Sequence, residues 1–194
     1  MIQRLALGAQ RSNMMTVPTD CDQRDERLGW MGDENLSSES MALNYNAGAF
    51  LRNFVDAMVS EQGADGSLPD TVPFARYGGR PADVSWSTAL PQTVHVLHAN
   101  GDIATDELTQ YMPALLAQLD NVKGQARNGV AKMHTPYGDW CPPPAQMGRG
   151  QGPKPSNPYT SAFSYINMIH QIHDLAVATG NSTLAVSLGM GTRA

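Results

Sequence analysis

The sequence predicts an all-α fold on three observations. Apolar residues recur with helical spacing in four long stretches, no stretch alternates convincingly with period two, and acids and tryptophans gather in the irregular connections between the helices. Helices joined this way suggest a toroid whose loops build a pocket at one end. At 194 residues, 41% hydrophobic and 16% charged, the chain is long enough for one globular domain with a real core.

The first predicted helix runs from about Glu34 to Gln62. Met41, Tyr45, Phe50, Phe54 and Met58 mark its stripe, with Leu51 and Val55 beside it, and Gly63 followed by Asp65-Gly66 ends it as a turn. A second, about Ser85 to His98, carries Trp86, Leu90, Val94 and Leu97 and stops at Asn100-Gly101-Asp102. The third, about Thr105 to Lys123, opens with Asp106 and Glu107, where the helix dipole favours acids, and repeats Tyr111, Leu115, Leu119 and Val122. Pro113 is expected to kink it or move its start. A fourth, about Thr160 to Thr179, shows Phe163, Ile166, His170, His173 and Val177 on adjoining rows before Gly180. Between the last two, the Pro- and Gly-rich stretch from Asn128 to Pro158 reads as a long loop, and it carries Tyr137-Gly138-Asp139-Trp140.

Charge removes some classes of partner. The formal net charge is −5 with no basic cluster to displace counterions from phosphates, so no nucleic-acid partner is expected. No apolar run approaches the length needed to span a bilayer, and the apolar part of Met1 to Ala9 is too short for a secretory signal, so no membrane partner is expected and localisation stays open. Cys21 and Cys141 are too few for a disulfide scaffold, although a single bridge between them is compatible with the sequence.

The chemistry concentrates between Thr19 and Asp33, Thr-Asp-Cys-Asp-Gln-Arg-Asp-Glu-Arg-Leu-Gly-Trp-Met-Gly-Asp. After Asp20 this run holds four more carboxylates, two arginines and a tryptophan. Such a mixture suits a polyol: Asp and Arg bond its hydroxyls, an indole covers its C–H face, and a carboxyl supplies the proton a leaving oxygen needs.

That run, with Gln62 to Gly66, Asp83-Val84-Ser85-Trp86, Asn100-Gly101-Asp102 and Gly138-Asp139-Trp140, resembles the catalytic domain of bacterial-type α-L-rhamnosidases. The likeness covers about Gln10 to Asn181, and in the signature only Asp22, where proline is usual, departs. Near Trp86, Thr88 stands where the family commonly has Asp, and Gln92 where Trp is frequent. The resemblance implies an inverting glycosidase that hydrolyses terminal α-L-rhamnosides. It also implies an incomplete (α/α)6 six-hairpin toroid, about the first third to half of the barrel, with residues 1–181 the N-terminal part of the catalytic domain and 182–194 a divergent tail.

Carried over by position, the resemblance makes Glu26 the general acid, has Asp20, Arg24 and Asp33 hold rhamnose hydroxyls, and lines the subsite with Trp30, Trp86 and Trp140. Asp20, Asp25 and Asp33 would favour the protonated acid by like-charge repulsion, while Arg24 and Arg27 would oppose it. An inverting enzyme also needs a second carboxylate about 6.5–9.5 Å away to activate water. The family supplies it from the later half of the barrel, so these residues are expected to carry half a pocket and to turn over little alone. An unclosed barrel would expose apolar helix faces and favour self-association, and a non-catalytic sugar-binding or chain-association module is the alternative. No cofactor or metal is expected: His95-x-x-His98 and His170-x-x-His173 offer two ligands each without an adjacent third and read as amphipathic surface.

Overall fold

The computed structural model describes residues 1–75, 77–126, 133–142 and 153–191, and among these the regular structure is helical, with two isolated antiparallel bridges, Met14 to Pro18 and Trp30 to Thr71. Among the described residues eight helices follow in order: α1 Ile2–Asn13, α2 Met31–Asn44, α3 Gly48–Glu61, α4 Val84–Ser87, α5 Ala89–Ala99, α6 Thr105–Ala126, α7 Asn157–Ala178 and α8 Ser182–Gly191. The expected all-α class is what the chain adopts.

The helix expected over Glu34 to Gln62 is two helices. Asn44, Asn46 and Gly48 are weak helix formers, and Tyr45 swings into extended geometry at φ −137°, ψ 158°, so the chain breaks there. Gly48 restarts it against the Asp102 side chain, where a Cβ would lie 2.4 Å from Oδ1. The start also moves back to Met31, putting Asp33 and Glu34 in the first turn beside the free amides. Beyond α3 the predicted turn is present: Asp65 Oδ1 accepts from Ser67 N at 3.0 Å, and Gly66 takes φ +80°. A side chain at Gly66 would strike the Ala117 carbonyl at 2.1 Å, so only glycine fits.

The second expected helix is likewise divided. Asp83 caps α4 by accepting from Ser85 N at 2.8 Å, and Thr88 turns its hydroxyl back to Ser85 O at 2.7 Å at the joint with α5. The predicted stop at Asn100 is observed, followed by Gly101 at φ +75°. Helix α6 begins where expected and runs through Pro113 to Ala126. Its Glu107 carboxylate accepts from Ala104 N at 2.9 Å, satisfying one amide just before the helix.

Helix α5 lies at the centre, packed on α2, α3, α6 and α7, and Leu90, Val94 and Leu97 are wholly buried. Around it Leu51, Phe54, Met58, Leu108, Leu115, Met168, Ile172 and Leu175 close one core, each side chain contributing about 1.5–3 kcal/mol. Helix α7 departs from the stripe read in the sequence. Its buried side is Met168, Ile172, Leu175 and Ala176, while Phe163 at 68%, Ile166 at 50% and Val177 at 57% are exposed. The sequence reading followed a real apolar row, but a second one, offset by two residues and so about half a turn around the helix, meets the core.

Two helices lie outside the sequence expectation. Helix α1 buries no residue: its apolar row, Ile2, Leu5 and Ala9, is exposed, and polar bonds hold the helix to α2, Gln10 Nε2 to Ser40 Oγ at 2.7 Å and Asn44 Nδ2 to Gln10 Oε1 at 2.7 Å. Helix α8 packs along α7. Among the described residues no helix is long and apolar enough to cross a membrane.

Candidate active site

The acid-rich run folds as a loop closed between Asp20 and Leu28 by one main-chain bond and one bond to the Asp20 carboxylate. Asp20 N donates to Leu28 O at 3.1 Å, and Leu28 N returns a bond to Asp20 Oδ1 at 2.8 Å. Within this ring Arg27 takes the left-handed conformation at φ +49°, and its guanidinium donates to Asp22 O at 3.2 Å. The loop is then stitched to a distant segment. Val72 N donates to Gly29 O at 2.8 Å and Met31 N to Asp70 O at 3.0 Å, bracketing the bridge between Trp30 and Thr71.

Glu26 stands inside this frame with about a quarter of its side chain exposed. The Trp30 indole Nε1 donates to Glu26 Oε1 at 2.9 Å. Its other oxygen lies 3.8 Å from the Arg24 guanidinium, while Arg24 Nε donates to Cys21 Sγ at 3.3 Å. The Cys21 thiol is buried and donates to Asp20 Oδ2, and burial pushes it above its ordinary range. Asp33, in the first turn of α2, is held above the usual carboxylate value by burial first and then by the negative charges of Asp20 and Glu26. Among the described residues, Asp20, Cys21 and Glu26 form the group of metal-type donors lying within 4.8 Å of one another, and all three are engaged with Leu28, Arg24 and Trp30.

All three tryptophans converge on Tyr137. Its ring centroid is 6.0 Å from Trp30 and 5.6 Å from Trp140, both edge to face, and 4.9 Å from Trp86 at a 49° tilt. The indoles differ in access. Trp140 is 69% exposed, whereas Trp86 lies against Gly32 with its Nε1 buried and unpaired, so it presents ring surface and no donor. The structure thus brings Asp20, Arg24, Glu26 and Trp30 into one loop, sets Asp33 beside it, and connects Trp86 and Trp140 through an aromatic ring the sequence reading had not singled out.

Tyr137 is itself anchored by two buried acids that the sequence reading also missed. Its hydroxyl donates to Asp70 Oδ2 at 2.9 Å, and its backbone N–H to Asp83 Oδ2 at 2.9 Å. Burial, then the bond to Asp70, pushes the phenol well above its ordinary range, so it remains a donor. Asp70 and Asp83 are 1% and 0% exposed, and each accepts several N–H bonds that satisfy its buried oxygens. Both sit in segments already conspicuous in the sequence, Pro69 to Pro73 and Asp83-Val84-Ser85-Trp86. Their role was hidden because they bond main-chain amides, which leave no residue signature.

The remaining candidates fall elsewhere. Thr88 and Gln92 serve helix packing: Asn35 Nδ2 donates to Thr88 Oγ1 at 2.9 Å, and Gln92 accepts from Gln171. His95 and His173 flank Asp174 at 3.8 and 3.0 Å. Cys21 and Cys141 are free thiols, so the bridge allowed by the sequence is not formed.

The helical scaffold fits a fragment of an all-α toroid, with the Glu26 carboxyl set against the Trp30 indole in one of its loops. The bacterial alpha-L-rhamnosidase 6 hairpin glycosidase domain matches residues 1–186. The chain belongs to this family.

Among relatives, an α-L-rhamnosidase of Alteromonas sp. is 29% identical over 149 residues, covering 72% of this chain and 15% of that protein. One from Streptomyces avermitilis is 29% identical over 134 residues, covering 68% and 12%. Among solved structures, the α-L-rhamnosidase of Dictyoglumus thermophilum superposes with a TM-score of 0.80 at 28% identity, over 94% of this chain and 20% of that one. The Streptomyces avermitilis enzyme complexed with L-rhamnose gives 0.75 at 22% identity, over 96% and 18%, a likeness of fold. The chain therefore spans about 15% of the length of the relatives it matches.

Proposed function

We propose that this chain forms the acid side of an inverting α-L-rhamnosidase pocket, with Glu26 donating the proton that the departing glycosidic oxygen takes up. The observation that carries this is the Glu26 carboxyl held by the Trp30 indole N–H at 2.9 Å, between a guanidinium and a cluster of aromatic rings. In this reading Asp20, Arg24 and Asp33 bond the sugar hydroxyls. Trp30 and Trp140 cover its apolar face, and Trp86 supplies wall. The substrate is a rhamnose-containing glycoside or polysaccharide.

Inversion needs a second carboxylate on the opposite face of the sugar, with room for a water between the two. We assign that base to a part of the barrel other than these residues, so the 194-residue polypeptide binds the sugar and does not turn it over. Incubating the polypeptide with an aryl α-L-rhamnoside, while following binding and free L-rhamnose, tests both parts. Saturable binding weakened by Trp30→Ala, without release, is the expected result. Absence of binding removes the pocket, and release of L-rhamnose at enzymatic rates removes the missing base.

A second reading, association with another chain, has its own observation. Tyr159, Phe163, Ile166 and Val177 are exposed apolar side chains on α7, and Val186 is exposed on α8. Sedimentation of the polypeptide before and after Phe163→Glu separates this reading, since only an interface on α7 loses its assembly.

A further inference from the structure

The aromatic cluster is built so that one residue, Asp70, addresses both sides of it. Through its carbonyl it accepts from Met31 N at 3.0 Å, next to the bridge that fixes the Trp30 backbone. Through its carboxylate it accepts from the Tyr137 hydroxyl at 2.9 Å and from Gly79 N on Oδ2, and from Asp83 N on Oδ1. Asp83 repeats the arrangement one step along, receiving Ser85 N at the start of α4 and Tyr137 N from the loop. The loop carrying Tyr137 is therefore registered to the loop carrying Glu26 at two buried carboxylates.

Between these anchors the Tyr137 ring meets Trp30 edge to face at 6.0 Å, and the Trp30 indole in turn bonds Glu26. An indole can swing about its side-chain torsions unless something meets its ring, and here the neighbouring features are Tyr137 on one side and Gly78 on another. A Cβ at Gly78 would approach Trp30 Cη2 at 3.4 Å and Asp70 Cβ at 2.8 Å. The Tyr137 hydroxyl is spent on Asp70, so this residue contributes ring position and carries no proton in the reaction.

We infer that Tyr137, locked by Asp70 and Asp83, is a positioning residue that fixes the Trp30 indole and, through its N–H, the orientation of the Glu26 carboxyl. The inference rests on the reading of Glu26 as the proton donor. The acid's direction is then set from a loop more than a hundred residues downstream, and exchanges at Tyr137 alter the acid without touching it.

The chain has three tryptophans, so its indole N–H resonances can each be identified by substitution, that of Trp30 by its loss in Trp30→Phe. In the full chain, Glu26→Gln replaces the acceptor and shifts the Trp30 resonance. We expect the same exchange to shift it at least threefold less in a Tyr137→Leu background and by an intermediate amount in Tyr137→Phe, which keeps the ring and the backbone bond to Asp83 and removes the hydroxyl bond to Asp70. An equal shift in all three backgrounds overturns the inference, and should Tyr137→Leu fail to fold, an undiminished shift in Tyr137→Phe overturns it alone. A chain that shows these shifts but binds no L-rhamnose loses the proposed function and keeps the positioning.

Discussion

Trp86 lies directly on Gly32: a Cβ built on that glycine would fall 2.4 to 2.6 Å from three atoms of the indole. One hydrogen in place of a methyl thus sets how closely α4 approaches the first turn of α2, and with it where the Trp86 face meets Tyr137. Gly32→Ala should push the ring out by overpacking and cost about 1–3 kcal/mol. Denaturant unfolding measures the loss, and a changed near-ultraviolet circular dichroism spectrum reports the moved indole. An unaltered midpoint and spectrum would mean that the ring has room to spare.

Glu34, the next residue but one, is a carboxyl buried in the core between α2 and α5. Thr93 Oγ1 donates to one oxygen at 2.8 Å and the other has no partner, so burial pushes its pKa from 4.5 up to about 8. Between those values the folded chain keeps a proton that the unfolded chain releases. Stability therefore falls as pH rises across this window, by up to about 1.4 kcal/mol per unit, and the full penalty is present above it. Glu34→Gln should flatten the dependence, which urea unfolding at pH 5 and pH 8 would read. A variant as pH-sensitive as the parent would place the titrating group elsewhere.

Asp83 makes a separate prediction because it caps a helix and anchors a loop at once. Asp83→Ala leaves Ser85 N and Tyr137 N without their acceptor and should cost about 2–4 kcal/mol. Asp83→Asn keeps one acceptor oxygen and should recover part of this. Hydrogen exchange at the Tyr137 amide is the local readout: it should quicken in the alanine variant well before global unfolding does.

Trp140 is the most exposed of the three indoles, so its removal should spare the fold. Trp140→Ala is expected to change stability by less than about 0.5 kcal/mol while weakening L-rhamnose binding about tenfold, whereas unchanged binding by the folded variant would reverse its assignment.

The parts of this molecule that were legible in its sequence are those where one short run carries the message. Asp20 to Asp33 is contiguous, so its acids, arginines and indole are near one another by chain geometry alone. Stretches such as Leu90 to Leu97 and Leu115 to Val122 bury the rows their spacing announces. The break at Tyr45 was hidden because apolar spacing continues across it on both sides, and α1 because polar side chains attach it. On α7 two apolar rows compete, and only packing against α5 and α6 decides between them. Tyr137, Asp70 and Asp83 were obscured for a further reason: they meet across as many as 67 residues of chain.

The central claim is that Glu26 points into a rhamnose pocket as its proton donor. A crystal structure of the chain with L-rhamnose tests it most directly. The account predicts the sugar against Trp30 and Trp140, with its anomeric oxygen about 2.6–3.2 Å from the Glu26 carboxyl. Sugar bound away from these rings, or Glu26 turned into solvent with its bond to Trp30 broken, would contradict it.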